Sequence, residues 1–307
     1  MQTAIKALIT SLLLYVILRN IDLPSVSATI KGTEISWLAV AYLLQTASTG
    51  VAAFRWNLIM ERLDFSESRL FYLKSYFQGV FFNQVMPGSI GGDAFRVIDL
   101  GAKGYSKIES FYGVMIDRGV GLASLILLTL LASFLGDELF PAWLIQLIRL
   151  VSVIGLAGFI LVMFLHRLKV LSRVRIFRPM VRISEHMSTV YRQPITIIFH
   201  AILSLAAHLL GLLTFWALAK AINMEVNFTI LLIAIPPSLL LTIVPISLAG
   251  WGVREGAMVG ILMLAGLVKA EILSLSVLFG LLLIATSIPG AYLWVRHKKS
   301  LATKEPK

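Results

Sequence analysis

A succession of apolar runs, several of them near 20 residues long, constrains this chain more than any other feature. About 20 helical residues cross a bilayer core some 30 Å thick, and spanning segments must satisfy their own backbone hydrogen bonds. The runs fall at roughly 3–20, 35–54, 70–86, 110–135, 141–165, 194–222, 228–248, 256–268 and 272–295. They predict an all-α, polytopic integral membrane protein with about seven to nine hydrophobic spans, forming one transmembrane domain over 1–307. Charged residues make up 14% of the chain, too few for a wetted surface when soluble domains carry about 25%. The stretch 3–20 has no clear small-residue cleavage site after it and reads as a retained first helix.

The net charge of +11 does not indicate nucleic acid, because the basic residues sit in short segments between apolar runs. Membrane proteins keep cytoplasmic Lys and Arg in such segments. The segment 166–193 carries Arg167, Lys169, Arg173, Arg175, Arg178, Arg182 and Arg192 against Glu185 alone. The tail after Val295 is also basic, whereas the turns at 136–138 and 223–227 have no Lys or Arg. Arg55, Arg62, Arg69 and Lys74 place the second inter-helix loop inside, so both termini are expected in the cytoplasm. The stretch 170–187, basic with interleaved apolar residues, resembles a surface helix on anionic lipid, broken at Pro179. Positive-inside anchoring accounts for it equally well. The chain has no cysteine, which excludes disulfides and thiolate metal sites. His200 and His208 share a helix face without a carboxylate at ligand spacing and read as packing contacts, so neither metal nor cofactor is expected.

Two breaks interrupt the pattern. An even number of crossings must separate the cytoplasmic residues 70–74 from Ser110. The simplest solution is a re-entrant hairpin over about 70–100 that turns at Pro87-Gly88-Ser89-Ile90-Gly91-Gly92-Asp93. A second hairpin over about 228–268 turns between Pro245 and Gly252. The two turns align without gaps: Pro87, Ser89, Gly92 and Arg96 match Pro245, Ser247, Gly250 and Arg254. Broken helices related by an inverted repeat mark the binding sites of many secondary transporters. Each turn reads either as a surface Pro/Gly turn with an interfacial Arg, or as part of a shared polar cavity in which Arg96 and Arg254 hold an anion. A central Arg costs about 2.5–3.5 kcal/mol on insertion scales, so two at matching places suggest a phosphate. Ser89, Gly91, Gly92, Ser247, Gly250 and Gly252 would line that cavity. Asn83 and Asp93 flank the first break, either capping a helix or touching a ligand. Asp117 and Arg118, adjacent in one run, point to different helix faces and pair elsewhere, Asp117 with Arg96 or Arg254. Glu255 either neutralises Arg254 or carries a cation or proton.

Asn83, Pro87, Gly91, Gly92, Asp93 and Arg96, then Asp117 and Arg118, then Pro245, Gly250, Gly252, Arg254 and Glu255 together resemble the flippase-like family, also called the lysylphosphatidylglycerol synthase transmembrane region. In that family the domain also occurs fused to a soluble aminoacyl transferase in the multiple peptide resistance factor. There it moves aminoacylated phosphatidylglycerol to the outer leaflet. The twelve residues after Val295 leave no room for a transferase, so the resemblance implies translocation of an anionic lipid at the plasma membrane and not its synthesis. Asp93, Asp117 and Glu255 are then candidate proton carriers. The expected partners are membrane lipids. The alternatives are a membrane-embedded enzyme and a non-transporting scaffold for envelope-biosynthesis enzymes. Ile90-Gly91-Gly92-Asp93 departs from the Gly-x-Gly-Asp motif of intramembrane aspartyl proteases, and Ser89 and Ser247 lack a nucleophile motif.

Overall fold

The computed structural model describes residues 32–86, 90–168, 170, 173–243 and 250–302, with side chains as far as Arg296. The expected first span at 3–20 and the turn residues Pro87, Ser89, Pro245 and Ser247 lie outside the described residues. Among those described, the chain forms α-helices and short 3-10 turns, without strands. The helices are α1 (Ile35–Arg62), α2 (Arg69–Val85), α3 (Gly91–Ala102), α4 (Lys107–Ser133), α5 (Ala142–Phe164), α6 (Arg178–Val190), α7 (Pro194–Ala221), α8 (Phe228–Leu241), α9 (Val253–Leu262) and α10 (Lys269–Ala302).

Helix starts follow local chemistry. Ser68 and Ser106 accept hydrogen bonds from the backbone N–H of Phe71 and Glu109, and Asn227 caps α8 through Thr229 N–H. Pro194 opens α7, where its missing N–H has no helical partner to lose. Among the described residues, five segments are long and apolar enough to cross a membrane: Ile35–Arg62, Lys107–Ser133, Ala142–Arg167, Pro194–Ala221 and Lys269–Arg296. The sequence count of seven to nine spans also included shorter segments. The helical parts of these are α2 with 17 residues, α8 with 14 and α9 with 10, none of crossing length.

α4 and α10 bury much of their surface and form the centre, while α5 exposes Leu147, Leu150, Ile154, Ile160 and Leu161. A helix apolar on all sides yet largely uncovered faces lipid. The largest core cluster joins α4, α7, α8, α9 and α10 through residues such as Leu128, Phe215, Ile233, Met258 and Phe279. α1 packs along α7, and α2 packs against both α3 and α10.

Two expectations are corrected. The apolar run at 35–54 does not end before Arg55: α1 continues to Arg62, and Arg55 is buried inside it instead of marking a loop. The basic stretch is not one surface helix broken at Pro179. α6 begins at Arg178 with Pro179 in its first turn, and it buries Val181, Ser184, Met187 and Val190 against its neighbours. Pro is tolerated there because first-turn N–H groups need no helical acceptor.

The contact between α2 and α10 depends on Gly290, where a Cβ would collide with the Phe77 carbonyl oxygen. Gly290→Ala is therefore expected to destabilise the protein by about 1–3 kcal/mol. Gly158→Ala, with open space around it, should be neutral or better. Thermal unfolding of both variants in detergent checks the contrast; equal melting temperatures would contradict this packing.

Candidate functional site

The first break sits where α3 folds back on α2. Gly92 packs so closely on Gly79 that a Cβ would strike the Gly79 carbonyl oxygen, and the side-chain oxygen of Asn83 accepts the Gly92 N–H at 2.7 Å. Asn83 thus caps α3 from the preceding helix, while Asp93 occupies the third position of α3, where a negative charge is favoured.

From this turn α3 directs Arg96 into a buried cluster of charges. Arg96 is 5% exposed, with its guanidinium carbon 4.8 Å from the ring centres of both Trp56 and Tyr76. Its Nη1 donates to Asp117 Oδ2 at 2.9 Å and its Nη2 to Asp93 Oδ1 at 2.5 Å. The other Asp117 oxygen accepts from Arg55 Nε at 2.9 Å, and Arg55 also donates to Ser204 Oγ and to the Asp117 carbonyl. Arg118 pairs with the second oxygen of Asp93. Successive helical residues point about 100° apart, so Asp117 lies buried while the Arg118 side chain is 36% exposed.

These groups line a cavity of about 540 Å³, with Tyr76, Asn83, Gly92, Gly121, His208 and Thr242 among its other walls. Three guanidiniums face two carboxylates there, leaving the lining with a surplus positive charge. Leu122 and Ile243, both exposed, belong to the same lining and give the cavity an apolar rim.

The second arginine is not part of this cavity, which corrects the expectation that Arg96 and Arg254 share one. Arg254 is buried with Glu255, which accepts from its Nη2 at 2.6 Å, and with Ser276 Oγ at 3.0 Å from its Nε. The other Glu255 oxygen accepts the Gly252 N–H at 2.6 Å and so caps α9. Gly250 and Gly252 have φ of +80° and +85°, conformations that suit glycine. Gly250 lines an adjoining cavity of about 340 Å³ that shares Tyr76, Val80, Asn83 and Thr242 with the charged one. Residues aligned in the two breaks therefore adopt different local structures: Gly91 and Gly92 are helical, and Arg96 lies a turn deeper in α3 than Arg254 does in α9.

His208 bonds the Gly121 carbonyl at 2.8 Å, and His200 contacts Tyr191. No group of three or more potential metal ligands occurs among the described residues. Arg55, Trp56, Tyr76 and Ser204 are site residues that sequence reading passed over. For Arg55 a signal was present: apolar Trp56, Ile59 and Met60 continue the helical pattern beyond it.

The family model described as the lysylphosphatidylglycerol synthase TM region matches residues 3–290. The chain belongs to this family. A comparison with curated proteins found no match. Membership of the lysylphosphatidylglycerol synthase TM region family, together with the apolar helices, makes this a membrane protein with a lipid-related function.

Arg254 has the environment of a structural ion pair. Arg254→Ala leaves Glu255 charged and buried, at an expected cost of about 3–5 kcal/mol. Combining Arg254→Met with Glu255→Gln removes both charges and should recover most of that loss. Unfolding in detergent tests this; a double variant no more stable than Arg254→Ala would contradict the assignment.

Proposed function

We propose that this protein moves an anionic lipid between the leaflets of the plasma membrane and is not an enzyme. The observation that carries the reading is the cavity whose charged lining, among the described residues, is Arg55, Arg96 and Arg118 against Asp93 and Asp117. A buried surplus of guanidinium is costly in a membrane protein and is offset when a phosphate occupies it. The rim of Leu122 and Ile243 lets acyl chains stay in the bilayer while the headgroup moves inward. Both carboxylates are held by guanidiniums, an arrangement suited to positioning charge rather than to acid–base catalysis.

In this reading the helix pairs α2–α3 and α8–α9 are re-entrant hairpins of an inverted repeat that gate the cavity alternately. Their lengths favour it: 17, 12, 14 and 10 residues extend roughly 15–26 Å at 1.5 Å per residue, short of a bilayer core. The basic segment 166–193 and the basic tail favour a cytoplasmic C-terminus, and Arg62, Arg69 and Lys74 in the second inter-helix loop favour a cytoplasmic N-terminus. A gradient or downhill exchange supplies the energy.

Arg96→Ala is a clean test, because Asp117 keeps Arg55 and Asp93 keeps Arg118 when Arg96 is lost. The pure protein in liposomes should exchange phosphatidylglycerol, aminoacyl-phosphatidylglycerol or polyprenyl phosphate between leaflets. Arg96→Ala should slow that exchange at least about tenfold, as expected for loss of a buried charge contact. Arg149→Ala, which breaks the more exposed pair with Asp137, should leave it intact. Exchange of none of these lipids, or equal exchange by Arg96→Ala and the wild type, would overturn the proposal.

A further inference from the structure

The two carboxylates of the cavity are bound in different ways. Asp117 is 1% exposed, and each of its oxygens holds a different arginine. Arg55 is fixed further by Ser204 and the Asp117 carbonyl, so displacing Asp117 would undo contacts among α1, α3, α4 and α7. Asp93 is likewise buried and bridges two arginines, Arg96 through one oxygen and Arg118 through the other. Arg118, however, has a substantially exposed side chain, so one end of this bridge opens to the cavity while neither end of the Asp117 bridge does. Asp93 also stands in the first turn of α3, directly after the break, and not in the middle of a long helix.

We propose that Asp93 is an internal stand-in for a ligand phosphate: the incoming phosphate displaces its carboxylate from Arg118 and Arg96, while Asp117 stays in place as the anchor. The inference rests on the anionic-lipid reading and specifies the step by which the ligand engages the site. A carboxylate whose two oxygens bridge two guanidiniums presents the acceptors that two oxygens of a phosphate monoester or diester would present. Exchange keeps both arginines paired throughout, so neither is left as a bare buried charge. The displaced Asp93 cannot stay buried without a partner, so the first turn of α3 must shift against α2. The Asn83–Gly92 bond and the close Gly79–Gly92 contact are the local features that this shift would disturb. Ligand binding and hairpin movement are then one event.

The step predicts an asymmetry that simple charge attraction does not. While Asp93 occupies the arginines, the binding-competent fraction is small and the apparent affinity is reduced by that fraction. Asp93→Asn removes the competitor and should tighten binding of dihexanoyl phosphatidic acid by about tenfold. Asp117→Asn removes the anchor and should weaken it. Arg118→Gln should lose most of the binding without a large change in melting temperature. Should Asp117→Asn fail to fold, the deciding comparison is Asp93→Asn in the Arg118→Gln background, where exchange predicts that the tightening is lost and net charge predicts that it persists. The full chain in nanodiscs would be titrated with dihexanoyl phosphatidic acid, the chain-matched diacylglycerol and inorganic phosphate. Trp56, against Arg96, provides an intrinsic fluorescence signal.

Tighter binding by Asp93→Asn, together with weaker binding by Asp117→Asn or loss of that tightening in the Arg118→Gln background, supports the exchange. The same asymmetry for inorganic phosphate but not the lipid supports the exchange and assigns it to a free phosphate, removing the lipid reading. Equal tightening by both aspartate variants reduces the effect to net charge and overturns the proposal, as does unchanged or weaker binding by Asp93→Asn. Wild-type protein that binds none of the phosphate probes overturns the anionic-ligand reading itself, a result separate from failure of the exchange step.

Discussion

The structure turns on one carboxylate: Asp117 holds Arg55 of α1 with one oxygen and Arg96 of α3 with the other. Neither arginine could stay buried in a membrane-spanning bundle without such a partner. Ser204 from α7 completes the shell around Arg55, and Trp56 and Tyr76 flank the guanidinium of Arg96. Four helices must therefore be assembled before the cluster is satisfied. Packing between apolar helices is weakly directional in lipid, so a polar cluster of this kind selects one arrangement over others. Once assembled, it leaves Arg118 and Asp93 at the cavity wall.

The two breaks divide the work. In the first, glycines let α3 lie close against α2, Asn83 caps the new helix, and Arg96 is carried inward to the cavity. In the second, positive-φ glycines turn the chain, and Glu255 both caps α9 and neutralises Arg254. A similar ten-residue string thus yields an open charged site in one place and a closed ion pair in the other. The partners differ: Arg96 pairs with Asp93 on its own helix and also reaches Asp117 on α4, whereas Arg254 pairs with the adjacent Glu255. The second break meets the charged cavity through Gly250, which lines an adjoining cavity that shares walls with it.

Much of the helical frame was legible because apolar run length is a direct consequence of bilayer thickness. The ends of α4, α5 and α7 fall within about three residues of the apolar runs, as boundary reading allows. Charge alone places a helix end at Arg55, whereas α1 runs on to Arg62 because the apolar pattern resumes at Trp56. A proline both breaks a helix interior and suits a first helical turn, and Pro179 takes the second of these places, in the first turn of α6. The divergence of Asp117 and Arg118 follows from helical geometry and needs no tertiary information. Their partners do need it: that Arg55 and Arg96 meet on Asp117, while Arg254 turns to Glu255, depends on how distant helices pack. The rings around Arg96 were hidden for the same reason, since Trp56 and Tyr76 belong to helices that the sequence alone does not bring together.

The claim that this charged cavity receives the phosphate of a lipid is tested most directly by locating that phosphate. An experimental structure of the protein in nanodiscs rich in phosphatidylglycerol would do so. The account predicts lipid phosphate density within hydrogen-bonding distance of Arg96 and Arg118, with acyl chains leaving past Leu122 and Ile243. Lipid phosphates confined to the outer surface, with Asp93 still bridging both arginines and only water in the cavity, would contradict it.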